Sequence, residues 1–349
     1  MSSSPIPAPA RLAAGVLLLV PLLWAAAAEA PPRLEDAVPD TFEGVERVVA
    51  VGDVHGDVEA LTEVLRLAGL IDEKGRWIGG KAHLVQTGDI ADRAPRTRDC
   101  YELLMRLERE ALAAGGRVHA LLGNHEVMNM LGDVRYVTPE ELASYADQSL
   151  SPDAPGTPRG LAGHREAFGL EGRYGRWLRG HPGVLRIDGT LFMHGGLQPE
   201  VPAKTLAELN RWVRQELFPG NPPGGGTAQG GPLWFRGYAL APEAQWNERL
   251  TEVLSRFGVK RMVMGHTTTK DGRIGVRFGG RTLFIDTGLS TGYGRHLAAL
   301  EIRGDRLTAI YPEGRVELLA PAVKSAPAKA PEKKAPGKKA APTLGGSRL

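Results

Sequence analysis

Cysteine is almost missing from this chain: Cys100 is the only one in 349 residues. No internal disulfide can form, so the fold has to rest on a packed core. Cys100 shares a helical face with Leu103, Leu104, Leu107 and Ala111, which marks it as a small core residue rather than a reactive thiol. A net basic charge is missing from the body of the chain. The formal net charge is +3, yet residues 321–349 carry seven Lys and Arg against one Glu, so residues 1–320 stand at −3. A nucleic-acid groove built into the fold, which would need clustered Lys and Arg, is therefore not expected. Internal repeats are absent outside the tail. With 42% apolar residues, global disorder is excluded.

Long hydrophobic runs are scarce too, and the one that exists is terminal. Arg11, the apolar stretch 12–24 and the small residues 25–30 have the three-part layout of a secretory signal peptide. Cleavage is expected after Ala28, because Pro31 disfavours a cut after Ala30. The run is short for a full membrane span, so export to a periplasm or beyond is the reading, with an uncleaved anchor as its alternative. At the other end, residues 321–349 are rich in Ala, Lys and Pro, a composition that cannot repay the entropy of ordering. The division expected is a signal peptide at 1–30, a linker at 31–45, one catalytic domain at 46–320 and a disordered basic tail open to an anionic partner.

What is present is a repeated pattern: a short apolar run, then Gly-Asp or Gly-Asn, then helical periodicity. Val48–Val51, His83–Gln86 and residues 118–122 read as strands, and residues 57–68 and 97–114 as the amphipathic helices between them. Such β-α-β units imply a parallel sheet, with ligands collecting at the carboxyl ends of its strands. Residues 128–183 look like an inserted cap, with helices expected at 139–147 and 165–179. The second half carries three hairpin patterns, around Asp188-Gly189, Gly279-Gly280 and Gly304-Asp305, which argue for a mixed or antiparallel second sheet. The Gly/Pro-rich stretch 219–232 reads as a mobile surface loop.

The strand ends carry the chemistry. Gly52-Asp53-Val54-His55-Gly56-Asp57 places Asp53 and His55 one residue apart on extended chain, so both can face one metal ion. Asp89, in Gly88-Asp89-Ile90-Ala91-Asp92-Arg93, could bridge two ions with its two oxygens. Asn124, His194 and His266 would complete the second ion, each following a strand-like run. Asp and His are natural ligands for divalent ions, and a pair of ions about 3.5–4 Å apart can generate a bridging hydroxide and clamp phosphoryl oxygens. His125, next to the ligand Asn124, is placed to donate a proton, with Asp92 orienting its ring. Arg93 and Arg236 are candidate clamps on the phosphate, as is Asn124. The reading is a two-metal phosphoester hydrolase.

These blocks resemble the phosphoprotein phosphatase group of calcineurin-like metallophosphoesterases, whose ordered set is Gly-Asp-X-His-Gly, Gly-Asp-X-X-Asp-Arg-Gly, Gly-Asn-His-Glu, His-Gly-Gly and a later His. Within that group the chain is most similar to the bacterial Shewanella-like protein phosphatases, through Gly123-Asn124-His125-Glu126-Val127-Met128-Asn129, Gly132-Asp133-Val134-Arg135-Tyr136, Trp234-Phe235-Arg236 and Ile285-Asp286-Thr287-Gly288-Leu289-Ser290. The resemblance implies an α/β fold, a four-layer α-β-β-α sandwich with mixed sheets, two divalent ions such as manganese, iron or zinc, and phosphoprotein substrates. Two departures stand out. Ala94 replaces the Gly that usually follows Asp92-Arg93, and the Ser-Ala-Pro-Asn-Tyr stretch of the eukaryotic branch is missing, which implies insensitivity to the toxins that grip that branch. Two other functions remain open to the sequence: hydrolysis of dinucleoside polyphosphates or other small phosphoesters, and a non-catalytic envelope binding protein working through its tail.

Overall fold

A computed structural model describes residues 33–319 apart from 35, 148–150 and 222–223. The expected signal peptide and the basic tail lie outside the described residues. Strand β1 is Thr41–Phe42, β2 Val48–Val51, β3 His83–Gln86, β4 Arg117–Ala120, β5 Val184–Ile187 and β6 Thr190–Met193. They are followed by β7 Arg261–Met264, β8 Gly275–Arg277, β9 Thr282–Phe284, β10 Ala299–Arg303, β11 Arg306–Tyr311 and β12 Gly314–Leu319. Two six-stranded sheets result, ordered β12-β11-β10-β2-β3-β4 and β1-β5-β6-β7-β9-β8. In the first, β2, β3 and β4 are parallel; in the second, β6, β7 and β9 are. Both sheets are mixed, because antiparallel strands flank each parallel trio.

Alternation along β2 explains the layering. Val48 and Ala50 point into a core shared with Leu185, Phe192, Val263 and Leu283 of the other sheet, so this apolar layer lies between the sheets. Val49 and Val51 point the other way, toward helices α1 (Val58–Leu67) and α2 (Thr97–Ala113). Leu61, Leu65, Leu104 and Leu107 of those helices are fully buried there, each worth roughly 1.5–3 kcal/mol relative to exposure. Cys100 lies in this layer, its thiol pushed up by burial, as a core residue would be. The outer face of the second sheet is covered by α7 (Leu206–Gln215) and α8 (Glu243–Arg256), with Leu209, Leu250 and Val253 buried against Leu191, Met262 and Met264. The order is helix, sheet, sheet, helix, the four-layer sandwich that the motifs imply.

Five local expectations need correction. The third hairpin, β10–β11, does not join the second sheet; β10 pairs antiparallel with the free edge of β2. Thr41–Phe42, read as linker, pair with β5. The single helix expected over 165–179 is two, α5 (Leu161–Phe168) and α6 (Arg173–Gly180), parted by Gly169 and Gly172, and α4 is only Pro139–Ala143. The stretch 219–232 is anchored rather than loose: the buried Glu216 carboxylate accepts hydrogen bonds from the backbone N–H groups of Gly224, Gly226 and Thr227, each at 2.9 Å.

The cap is fastened to the sandwich by a buried acid. Glu141 of α4 accepts a hydrogen bond from Thr97 Oγ1 at 2.7 Å, and that hydroxyl in turn accepts the Asp92 N–H at 3.1 Å. Burial pushes the Glu141 carboxyl up to about 8, with the Asp92 charge adding to it and Thr97 and Arg98 opposing. A carboxyl raised above its unfolded value keeps its proton in the folded state while the unfolded chain gives it up. Its contribution is therefore fully present below about pH 4.5 and is lost as pH rises toward 8, a change on the order of a few kcal/mol. Glu141→Gln should flatten this part of the stability profile measured by urea unfolding between pH 5 and 8. An unchanged slope in that variant would refute the assignment.

Candidate active site

Six parallel strands end at one place. Asp53 follows β2, Asp89 follows β3 and Asn124 follows β4 in the first sheet; His194 follows β6, His266 follows β7 and Asp286 follows β9 in the second. Their common meeting point is a cavity of about 240 Å³ lined by Asp53, His55, Asp89, Arg93, Asn124, His125, Arg236 and His266, together with Tyr136, Trp234, Thr268, Asp286 and Tyr293. His194 is fully buried beside it, and Asp92 lies behind His125. Every site residue proposed from sequence thus arrives at one cavity or directly against it.

The backbone is bent to achieve this. His55, Asp89, Asp92, Arg93 and His266 all adopt φ between 48° and 72°, the left-handed region that non-glycine residues avoid. Each costs on the order of 1 kcal/mol or more, and such outliers persist where a site over-determines them. Close approach demands glycine at two neighbours: a Cβ on Gly123 would sit 2.2 Å from Asp89 Oδ1, and one on Gly265 would sit 2.4 Å from Asp53 Oδ1.

Hydrogen bonds fix which histidine nitrogen is free. His55 Nδ1 lies 3.0 Å from the Ala91 carbonyl and His194 Nδ1 lies 2.9 Å from the Thr87 carbonyl. Because a carbonyl can only accept, each Nδ1 carries the proton and each Nε2 presents a lone pair. For His194 that lone pair faces Asp89 Oδ2 at 3.1 Å and Asn124 Oδ1 at 3.0 Å; for His55 it faces Asp53 and Asp89 oxygens at 3.9 Å. His266 is the reverse case. Its Nε2 meets the Trp234 carbonyl at 3.0 Å, so the lone pair lies on Nδ1, 3.3 Å from Arg236 Nη2. Burial first, and then the neighbouring His194 and Arg236, push the His266 imidazole down to about 2, so it is neutral and able to ligate.

Lone pairs converging on lone pairs repel unless a cation lies among them, so this donor set fits divalent ions. Ligand atoms of His55, Asp89 and His125 lie within 4.8 Å of one another, and so do those of Asp89, His194 and His266. Asp89 is common to both groups. Burial would raise its carboxyl, but the surrounding His194, His125 and His55 hold it well below the ordinary range. Asp53 moves the opposite way, raised by burial and by the Asp286 and Asp89 charges.

His125 differs from the other histidines. Its Nδ1 binds Asp92 Oδ2 at 2.6 Å, and its Nε2 faces the cavity 3.8 Å from Asp89 Oδ2. Burial alone would disfavour its charged form, but the Asp89 charge and the Asp92 hydrogen bond outweigh it and raise the pKa. The charged form of a ring aimed at the cavity is thus favoured. Arg93 is exposed at the rim, with its guanidinium 3.9 Å from the centre of the Tyr136 ring. Arg236 does not stack on Trp234; it donates to the His266 carbonyl and to Thr267 Oγ1.

The sequence reading assigned no role to Asp286, Glu126 or Asn129. Asp286 ends an apolar strand just as Asp89 does, and that position was the available signal. Its carboxylate accepts from Thr268 Oγ1 at 2.7 Å and from the Gly288 N–H at 3.0 Å. Glu126 is fully buried and accepts from the N–H groups of Asp89, Ile90, Ala91 and Gly123, knitting the loops after β3 and β4 together.

Comparisons with known proteins bear on the family of the chain. The family model described as calcineurin-like phosphoesterase matches residues 46–269. Shewanella-like protein phosphatase 2 of Arabidopsis thaliana is 34% identical over 312 residues, covering 79% of this chain and 80% of that protein. An uncharacterized protein of Schizosaccharomyces pombe is 37% identical over 267 residues, covering 73% of this chain and 76% of its own length. Among solved structures, the cold-active protein-tyrosine phosphatase of a psychrophilic Shewanella species superposes with a TM-score of 0.69 at 29% identity, covering 82% of this chain and 84% of that one.

Proposed function

Because the chain belongs to the calcineurin-like phosphoesterases, we propose that it is a protein phosphatase of the Shewanella-like type that acts on phosphotyrosine. The observation that carries the reading is one cavity holding a lone-pair donor set, two arginines and a histidine hydrogen-bonded to an aspartate. Asp53, His55, Asp89, Asn124, His194 and His266 would hold two divalent ions. When bound, such ions supply an activated water and offset the charge on phosphoryl oxygens.

The remaining work falls to side chains of this chain. Arg93, from the loop after β3, and Arg236, from the crossover between β6 and β7, line the cavity and would hold the phosphoryl oxygens in line for displacement. As the bond from phosphorus to the leaving oxygen breaks, His125 Nε2 gives its proton to that oxygen, and Asp92 stabilises the ring's orientation throughout. Tyr136 and Tyr293 favour an aryl leaving group. The first stands 5.0 Å from the His125 ring and the second is stacked 5.3 Å from the His55 ring, so an aromatic ester can rest against either.

The test is kcat/KM on matched phosphotyrosine and phosphothreonine peptides and on diadenosine tetraphosphate, with manganese present. We expect the phosphotyrosine peptide to lead by about tenfold or more, the discrimination a good pocket contact affords. Faster hydrolysis of the dinucleotide would overturn the reading in favour of a small-phosphoester hydrolase.

A further inference from the structure

Asp92 is held from three directions. Its Oδ2 takes the His125 Nδ1–H at 2.6 Å, its Oδ1 accepts from Asn129 Nδ2 at 2.9 Å, and its backbone N–H donates to Thr97 Oγ1 at 3.1 Å. Asn129 follows His125 by one turn of helix α3 (Asn124–Met130), so the two side chains share a face. Its Nδ2 also donates to the backbone carbonyl of His125 at 2.8 Å. Both hydrogens of one amide are therefore directed at the two members of the same pair. The orientation of the amide is settled by its partners, since a carboxylate oxygen and a carbonyl can only accept.

Asn129 is 2% exposed, and its Oδ1 finds no hydrogen-bond partner among the described residues. A buried amide with an unpaired oxygen weakens the fold, and an apolar residue of the same size would not carry that penalty. Its value has to lie in what its nitrogen holds. A carboxylate bound through one oxygen can turn about its own axis and let the histidine ring swing; with Oδ1 pinned, Oδ2 stays on Nδ1 and Nε2 stays aimed at the cavity.

We infer that Asn129 is a positioning residue for proton donation, holding Asp92 and through it the angle at which His125 Nε2 meets the leaving-group oxygen. The inference rests on the reading of His125 as the acid. It concerns the proton and not the phosphate, so its signature depends on the leaving group. A dinitrophenolate departs without a proton, whereas a phenolate needs one.

The experiment measures kcat for 2,4-dinitrophenyl phosphate and for phenyl phosphate on the manganese-loaded enzyme and takes their ratio. Because both substrates meet one preparation, any loss of folded protein cancels. His125→Asn should raise the ratio by about a hundredfold or more. Asn129→Leu should raise it by about tenfold, the loss typical of one hydrogen bond to a charged group. Asn129→Ser, whose hydroxyl is too short to reach Asp92 and which suits a site that will not accept Leu, should shift it in the same direction. In the double variant His125→Asn/Asn129→Leu the ratio should equal that of His125→Asn alone, since a residue acting through His125 has nothing left to act on. If His125→Asn moves the ratio and neither Asn129 variant does, the inference is wrong while the acid assignment stands. If His125→Asn leaves the ratio unmoved, the acid assignment fails and takes the inference with it.

Discussion

Asp89→Asn lowers kcat by about a thousandfold or more on every phosphomonoester. Asp89 Oδ2 lies 3.1 Å from His194 Nε2, 3.8 Å from His125 Nε2 and 3.9 Å from His55 Nε2, and Asp89 alone belongs to both donor groups found among the described residues. Asparagine keeps the shape but replaces one oxygen by an amide nitrogen with no lone pair to offer, and it removes the charge shared by the two groups. Bound ions contribute several kcal/mol of charge stabilisation to phosphoryl transfer, and each 1.36 kcal/mol is a factor of ten, which gives about three orders of magnitude. The fold should survive, because the hydrogen bond from the His125 N–H to Asp89 Oδ1, 3.0 Å long, can still be accepted by an amide oxygen. Steady-state turnover on p-nitrophenyl phosphate, with metal content measured on the same sample, decides it. Activity within tenfold of the parent would show that Asp89 does not join the two groups.

The second large effect falls on stability. Glu126→Ala should cost roughly 4 kcal/mol and lower the unfolding midpoint by roughly 10 °C. The Glu126 carboxylate is fully buried and accepts the Asp89 N–H at 2.8 Å, those of Ile90 and Gly123 at 2.9 Å and that of Ala91 at 3.1 Å, with Tyr101 Oη at 3.2 Å. Truncation strands four backbone donors from two loops in a space that alanine cannot fill. Glu126→Gln retains one acceptor oxygen and should lose about half as much. Thermal and denaturant unfolding of both variants tests this. A Glu126→Ala protein within about 1 kcal/mol of the parent would mean that those amides find other partners.

These two residues show what the sequence makes legible and what it hides. Asp89 could be read because it ends an apolar run in a block whose partners recur at other strand ends, and metal chemistry requires those residue types. Glu126 sits in the same kind of block, but its partners are backbone N–H groups, which have no letter in a sequence. Asn129 is silent for the same reason, since one of its two partners is the carbonyl of His125. Helix α3 went unread because all seven of its residues are buried, polar and apolar alike, so it has no solvent-facing side and hence no amphipathic period. The β10–β11 hairpin was visible from Gly304-Asp305, yet only the free edge of β2 determines which sheet receives it. Strand β12 alternates Arg315 and Glu317 with modest apolar residues on an exposed edge, a pattern too weak to mark a strand. The anchoring of residues 224–227 depends on Glu216, which lies outside the Gly/Pro-rich stretch whose composition suggested a mobile loop.

The strained conformations belong to the same account. Five residues at the cavity occupy left-handed backbone, and the Glu126 carboxylate and the Asp57 carboxylate hold the segments that contain or adjoin them. Asp57 caps α1 through the Ala60 N–H at 2.9 Å and binds the Thr291 N–H at 2.8 Å, fixing the loop that carries Tyr293. Stability is invested around the site so that unfavourable local geometry can persist within it.

The central claim is that the converging donors hold two divalent ions on which turnover depends. The most direct test strips the protein with a chelator, restores manganese stepwise, and follows bound metal and p-nitrophenyl phosphate turnover in the same samples. The account predicts no turnover in the stripped protein and full turnover only as bound metal approaches about two ions per chain. Full turnover in the presence of chelator, or saturation of turnover with no bound metal, would contradict it.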